Sequence, residues 1–331
     1  MTDTTAHIAV DTNPEDEFDS QSSGSERTSL RSSILDYVYE NGRRYHAYHA
    51  GEYWGSNDEK AMDTMDIIIH HTYSLLLNGK LYLSPIPSDV KRVLDIGTGT
   101  GSWAIDFGDM HPSATVIGTD LSPIQPGFVP PNVKFEIDDC CDEWLYQNPF
   151  DFVHIRGLYG CVADWPQLYT RALQHIKPGG YIEQLEASVI GESDDGTVDN
   201  TSLRELGILS EEAASIFGKS LRTVHEMKDG IIKAGFLDVT EHSYKIPIGS
   251  WPREKGLKTL GRYARLALEE GLEMFTMMLY TKVLGWSRER VELFLSDVRK
   301  DMHNPNIHGY IRVKVCYGRK PTAEESEQAT A

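Results

Sequence analysis

The chain has 331 residues, 40% of them hydrophobic and 25% charged, which is enough for one large domain and incompatible with a wholly disordered chain. Asp and Glu number 50 against 32 Lys and Arg, a net charge of −18, so nucleic acid and anionic membrane are excluded as partners that the overall field would favour. Cys140, Cys141, Cys161 and Cys316 form no C-x-x-C pair, the start lacks the blocks of a signal peptide, and no run approaches a membrane span; these features predict reduced thiols, no structural metal and a cytoplasmic or nucleocytoplasmic protein.

Residues 1–30 carry seven acids against Arg27, with Ser and Thr between them, and are expected to form a disordered acidic tail. Leu30, Ile34, Leu35 and Val38 follow at helical spacing, and Asn41-Gly42 supplies a stop. A second helix has Asn57 as its cap, Asp58 and Glu59 in its first turn, and Met62, Met65, Ile69, Tyr73 and Leu76 on one face before Asn78-Gly79. Residues 31–90 therefore read as a helical N-terminal lid.

From Arg92 the pattern changes to short β-rich runs, 92–96, 115–119, 133–137, 152–155 and 181–185, mostly separated by helical stretches. The helix at 165–176 is closed by Lys177-Pro178-Gly179-Gly180. Strand and helix in alternation predict an α/β domain, 91–320, around a parallel sheet with right-handed crossovers. An acidic loop, helical segments to Ala234 and an extended stretch to Ile248 come next. A helical insertion at about 253–302 then precedes a last strand, 311–317, leaving the insertion free to roof the sheet's active edge. Residues 321–331 lack large apolar side chains and are expected to fray.

The first β-run, Val93-Leu94-Asp95-Ile96, enters Gly97-Thr98-Gly99-Thr100-Gly101 and then a helix. Such a turn needs glycine for positive backbone angles and for close approach of a ligand. A dinucleotide fingerprint would place its third glycine at position 102, which is Ser102; here it is Gly101. That spacing favours S-adenosylmethionine over NAD, because the former has no pyrophosphate to seat on the helix N-terminus. Asp120 follows the second run, where a carboxylate either accepts both ribose hydroxyls of an adenosine or caps a loop. Asp95 either faces the cofactor's ammonium or is an ordinary strand-end acid. Asp138 and Asp139 end the third run, and Asp139 with Cys140 is favoured for the adenine edge because a small residue leaves room for a flat ring.

The stretches RRYHAYHAGEYW (43–54), VLDIGTGTGSWAIDF (93–107), FDFVHIRGL (150–158) and KPGGYIEQLE (177–186), with the run 116–139 between them, resemble the fungal LaeA-like family of methyltransferases. The resemblance is close over nearly half of the chain. It implies a Rossmann-like, seven-stranded, mostly parallel methyltransferase sheet with S-adenosylmethionine bound by Asp95, Gly97, Gly99, Asp120 and Asp139, and with N-terminal Tyr and His residues closing the site. Thr98, Gly101, Leu121, Cys140 and Tyr45 complete the expected cofactor set. Thr64 departs from the family pattern, in which arginine is frequent, so any role of that arginine is in doubt here.

Methyl transfer requires alignment of nucleophile, methyl carbon and sulfur, and a base only if the acceptor carries a proton. Candidates lie at the carboxyl ends of the first, fourth and fifth runs. His154 is either a base or a satisfied core histidine, and Arg156 either recognises the acceptor or pairs structurally. Tyr53, Trp54, Tyr159 and Glu186 are the expected acceptor-binding residues. The aromatic cluster from Tyr45 to Trp54 either covers a sulfonium through cation–π attraction or packs as an amphipathic segment. Leu257, Leu260, Ala264, Leu268, Phe275 and Leu279 repeat at helical spacing as a core stripe, from which Met274, Phe275, Met277 and Met278 can also wall a pocket. The reading is methylation of a small secondary metabolite. Its three rivals are a regulator working through protein partners, a protein methyltransferase, and a catalyst that retains the cofactor fold but not methyl transfer, and neither a protein partner nor a homo-oligomer is excluded.

Overall fold

The computed structural model describes residues 34–330, so the acidic segment 1–30 lies outside the described residues. The first described elements are a hairpin, β1 (Val38–Glu40) and β2 (Arg43–Tyr45), in place of the end of a helix. Asn41 and Gly42 both take positive φ, 50° and 77°, as a two-residue primed turn demands, so Asn-Gly reverses a strand here instead of ending a helix. The second expected helix forms, but Asp58, not Asn57, caps it by accepting from the Ala61 N–H at 3.1 Å. It runs as α1 (Glu59–Asp63), a π-helical stretch (Thr64–His70) and α2 (His71–Leu76).

The main sheet contains β3 (Arg92–Ile96), β4 (Thr115–Asp120), β5 (Val133–Ile137), β6 (Phe150–Arg156), β7 (Ile176–Ala187), β8 (Leu237–Pro247) and β9 (Tyr310–Arg319). Their order in space is β5-β4-β3-β6-β7-β9-β8, parallel as far as β7, with β9 antiparallel to both of its neighbours. Val93, Leu94 and Ile96 are all buried, as expected of a central strand covered by helices on both faces. The Lys177–Gly180 run belongs to the start of β7, where the register against β6 shifts, and so does not lie outside the sheet.

Helix α3 (Ser102–Met110) covers one face, where Trp103 and Phe107 pack on Val93, Val116 and Phe152. Helices α4 (Trp165–His175) and α6 (Thr223–Lys233) cover the other, with Leu168, Tyr169, Met227 and Ile231 against Leu94, Val153 and Ile155. A separate apolar cluster joins α5 (Ser202–Phe217) to the insertion, which is α7 (Lys255–Met278), a π-helical turn (Leu279–Val283) and α8 (Arg288–His303). The C-terminal stretch expected to fray instead forms α9 (Ala323–Thr330). Arg319 grips Glu325 through two bonds of 2.7 and 2.9 Å, and Thr322 and Glu325 cap the helix reciprocally. No helix among the described residues is long and apolar enough to cross a membrane.

Between β3 and β6 the strand order reverses direction, and the loops at their carboxyl ends part there to leave a crevice.

Candidate functional site

A cavity of about 320 Å³ opens at this crevice, within the range of small-molecule sites. One region is built by the ends of β3, β4 and β5 and contributes Asp95, Asp120, Asp138 and Asp139. Another is walled by α7 through Ala264, Ala267, Leu268, Leu272, Met274 and Phe275. Met65, Ile69 and Tyr73 of the N-terminal helix also face it.

The glycine loop has φ of 68°, 60° and 88° at Gly97, Gly99 and Gly101. Gly97 and Gly99 line the cavity with Thr98, whereas Gly101 does not, and a Cβ there would collide with the Phe135 ring. Gly101 therefore serves helix packing, a correction to its expected cofactor contact. At Gly99 a Cβ would meet only the Met65 sulfur, at 3.8 Å, so the loop leaves an open approach to its backbone.

Asp95, next to last in β3, has both oxygens engaged: Thr98 Oγ1 donates to one at 2.6 Å and His154 Nδ1 lies 2.7 Å from the other. The β3–β6 register sets Asp95 directly beside His154. His154 is 1% exposed, stacks on Trp103 at 3.7 Å and does not line the cavity. Burial lowers its pKa, so the imidazole is neutral and its Nδ1–H donates to Asp95. The expected catalytic base is thus a core histidine that orients Asp95. His154→Ala should cost about 3 kcal/mol of stability, since it removes a hydrogen bond to a charged group and a packed ring. Chemical denaturation measures that loss, and the rate–pH profile should lack an imidazole limb.

Asp120 accepts the Gly99 N–H at 2.8 Å and the Ser122 N–H at 2.9 Å. Burial nevertheless pushes its carboxyl up to about 6, partly offset by these donors. The Leu121 N–H contributes a third backbone hydrogen bond, and a carboxylate with about four acceptor directions is not exhausted by three donors. Asp139 is held below the usual carboxylate range despite burial, because His49 Nδ1 at 2.9 Å and the Cys141 N–H at 2.8 Å favour its charge. Asp138 is raised by burial. Leu121 and Cys140 line the same end.

The N-terminal segment is strapped over this end. Asn57 Nδ2 donates to Ser122 Oγ at 3.1 Å, Lys219 reaches Glu52 at 2.6 Å, and Arg43 binds Asp58 at 2.5 Å. Tyr53 and Trp54 line the cavity, but Tyr45 is buried in β2 away from it, so its expected cofactor contact is not made. Glu186 is likewise corrected from acceptor binding to support. It is fully buried outside the lining, and it accepts the Leu158 and Tyr159 N–H groups at 3.2 Å each and Gln184 Nε2 at 2.9 Å. Leu158 and Tyr159, which it holds, do line the cavity. Arg156 lines it too, with one guanidinium nitrogen 3.1 Å from His70 Nδ1 and its carbon 5.6 Å from the Tyr73 ring centre.

Sequence reasoning did not single out Leu206 and Ser210 of α5, Ile246 of β8 or Thr72, all of which line the cavity. Nothing local marks them, because their direction depends on how distant elements pack. Among the described residues, two three-residue groups that share Asp139 bring ligand atoms within 4.8 Å of one another, Asp139 with Cys140 and Cys141, and Asp139 with His49 and Asp142.

Residues 68–225 match the family described as a methyltransferase domain. The chain is 41% identical to methyltransferase pytC of Aspergillus terreus over 89% of this chain and 91% of that one. It is 35% identical to the secondary metabolism regulator LAE1 of Cochliobolus heterostrophus, over 85% and 94% of the two chains. The corresponding regulator laeA of Aspergillus fumigatus is 32% identical, over 86% and 77%.

Proposed function

We propose that this chain, which belongs to the LaeA-like family of fungal S-adenosylmethionine-dependent methyltransferases, transfers the cofactor's methyl group to a small, largely apolar secondary metabolite. The observation that carries the reading is one cavity with two chemistries, a carboxylate-lined end on β3, β4 and β5 and an apolar end on α7.

The acidic end suits S-adenosylmethionine. Asp95 lies where it can meet the cofactor's ammonium, Asp120 is placed for the ribose hydroxyls, and Asp138, Asp139 and Cys140 border the adenine edge. A pyrophosphate there would face four carboxylates, so NAD is a poor fit. When bound, S-adenosylmethionine supplies an electrophilic methyl group on a sulfonium. The protein's part is alignment: the glycine loop and acids fix one partner, the α7 wall seats the other, and Tyr53, Trp54 and Met65 exclude water.

Hydroxyl donation to Asp120 favours its charged form, so cofactor binding lowers a carboxyl pKa that stands at about 6 in the free protein. Affinity should therefore rise with pH up to that value and level off above it. Calorimetry at pH 5 should find S-adenosylmethionine bound roughly tenfold more weakly than at pH 7.5.

Incubating the protein with methyl-labelled S-adenosylmethionine and a metabolite extract from its source tests the acceptor class. Label should enter a small organic product. Label confined to polypeptide would replace this reading with protein methylation.

A further inference from the structure

We propose that the acceptor is an acid that enters already deprotonated, a carboxylate or the enolate of a ring 1,3-dicarbonyl, with its charge held by Arg156. This rests on the methyltransferase reading and names its substrate class. Among the described residues lining the cavity, Arg156 is the only cationic side chain, and no histidine is among them. Arg156 ends β6, the strand beside β3 at the crevice, and its guanidinium lies over Tyr73, itself a lining residue.

A relay fixes the guanidinium. His70 Nε2 lies 3.0 Å from Asp106 Oδ2, which as a carboxylate can only accept, so that nitrogen carries the proton. His70 Nδ1 is then the acceptor for the Arg156 N–H at 3.1 Å. A planar, oriented guanidinium suits an oxyanion with two oxygens, holding one while the other attacks.

The cavity is also poorly equipped to remove a proton. Burial pushes Tyr73 up to about 12 and raises Tyr53, Tyr159 and Cys161 as well, so all four remain protonated near neutrality. The carboxylates that line it come from the β3, β4 and β5 ends, which the cofactor reading already occupies. An acceptor that arrives as an anion needs no base. Its oxygen forms a bond to the methyl carbon while the carbon–sulfur bond breaks and that electron pair stays on sulfur. Anion and sulfonium become a methyl ester or enol ether and a neutral thioether, and no proton moves.

Matched probes test this in protein saturated with S-adenosylhomocysteine: 2-naphthoate against 2-naphthamide for the carboxylate, and 4-hydroxycoumarin against 4-aminocoumarin for the enolate. At least one acid should bind about tenfold or more tightly than its neutral partner, the order expected for a hydrogen bond to a charged group. Arg156→Gln should abolish the difference, and Arg156→Lys should keep part of it. Equal binding within both pairs in the unaltered protein, no binding by any of the four, or a preference that survives in folded Arg156→Gln would overturn the proposal. The comparison in unaltered protein does not depend on how the variants fold. Calorimetry of S-adenosylmethionine alone separates the two readings, because lost cofactor binding would count against the methyltransferase reading and unequal probe binding would not.

Discussion

Asp120→Ala should weaken S-adenosylmethionine binding by about 1.5 to 3 kcal/mol, roughly ten- to 150-fold in Kd, the range for hydrogen bonds made to a charged group. The carboxylate ends β4, and two backbone N–H groups fix its orientation before any ligand arrives. Removing it leaves the Gly99 and Ser122 N–H groups facing a space that water can fill, so the cost falls on binding more than on folding. Its burial also makes Asp120 destabilising to the free protein when ionised. Linkage gives the sign: the native state holds the proton more tightly than the unfolded chain, so this contribution to stability is present at low pH and lost as pH rises through about 6. The alanine variant should accordingly be no less stable than the parent at pH 8. Calorimetry together with denaturation at that pH reads both effects.

The second large effect is expected at the glycine loop. Gly99→Arg should reduce S-adenosylmethionine binding below detection, because its Cβ would point into open space with only the Met65 sulfur nearby, at 3.8 Å, and the longer side chain would fill the cofactor's end of the cavity. The positive φ of 60° adds a backbone cost of about 1 to 2 kcal/mol, which a domain of this size can absorb. At Gly101 the pattern should reverse. A side chain there would strike Phe135, so Gly101→Ala should lower the melting temperature well before it touches the ligand. Retained binding by folded Gly99→Arg would move the cofactor away from this loop.

The sheet was legible because its strands are short apolar runs that end in glycine or acid, signals carried within a few residues of one another. Val93-Leu94-Asp95-Ile96 reads as a buried strand from its own composition, and the structure places it in the sheet interior, between β4 and β6. Asn41-Gly42 was ambiguous for a physical reason: positive φ serves both a helix end and a primed hairpin turn, and pairing of β1 with β2 decided between them. The C-terminal helix was hidden because its anchor is Arg319, on the last strand, rather than any apolar face of its own.

In the site, acids at strand ends could be read in sequence, since the strand alternation places them at the same edge. The partners of His154 and Glu186 could not. The β3–β6 register turns His154 onto Asp95 and Trp103, and Glu186 is claimed by backbone N–H groups of a loop almost thirty residues away, at Leu158 and Tyr159. The acceptor wall was partly visible as the methionine-rich stripe of α7. Which of its residues face the cavity depends on how α7 lies against the π-helical stretch at Thr64–His70, a tertiary fact.

A crystal structure of the protein with S-adenosylhomocysteine tests the central claim most directly, that one cavity holds cofactor and acceptor in line. In that complex the ribose hydroxyls should lie on Asp120, the amino group toward Asp95, and the sulfur should face the region bounded by Arg156, Tyr73 and the α7 wall. S-adenosylhomocysteine lying along Met274 and Phe275, or outside the crevice between β3 and β6, would contradict it.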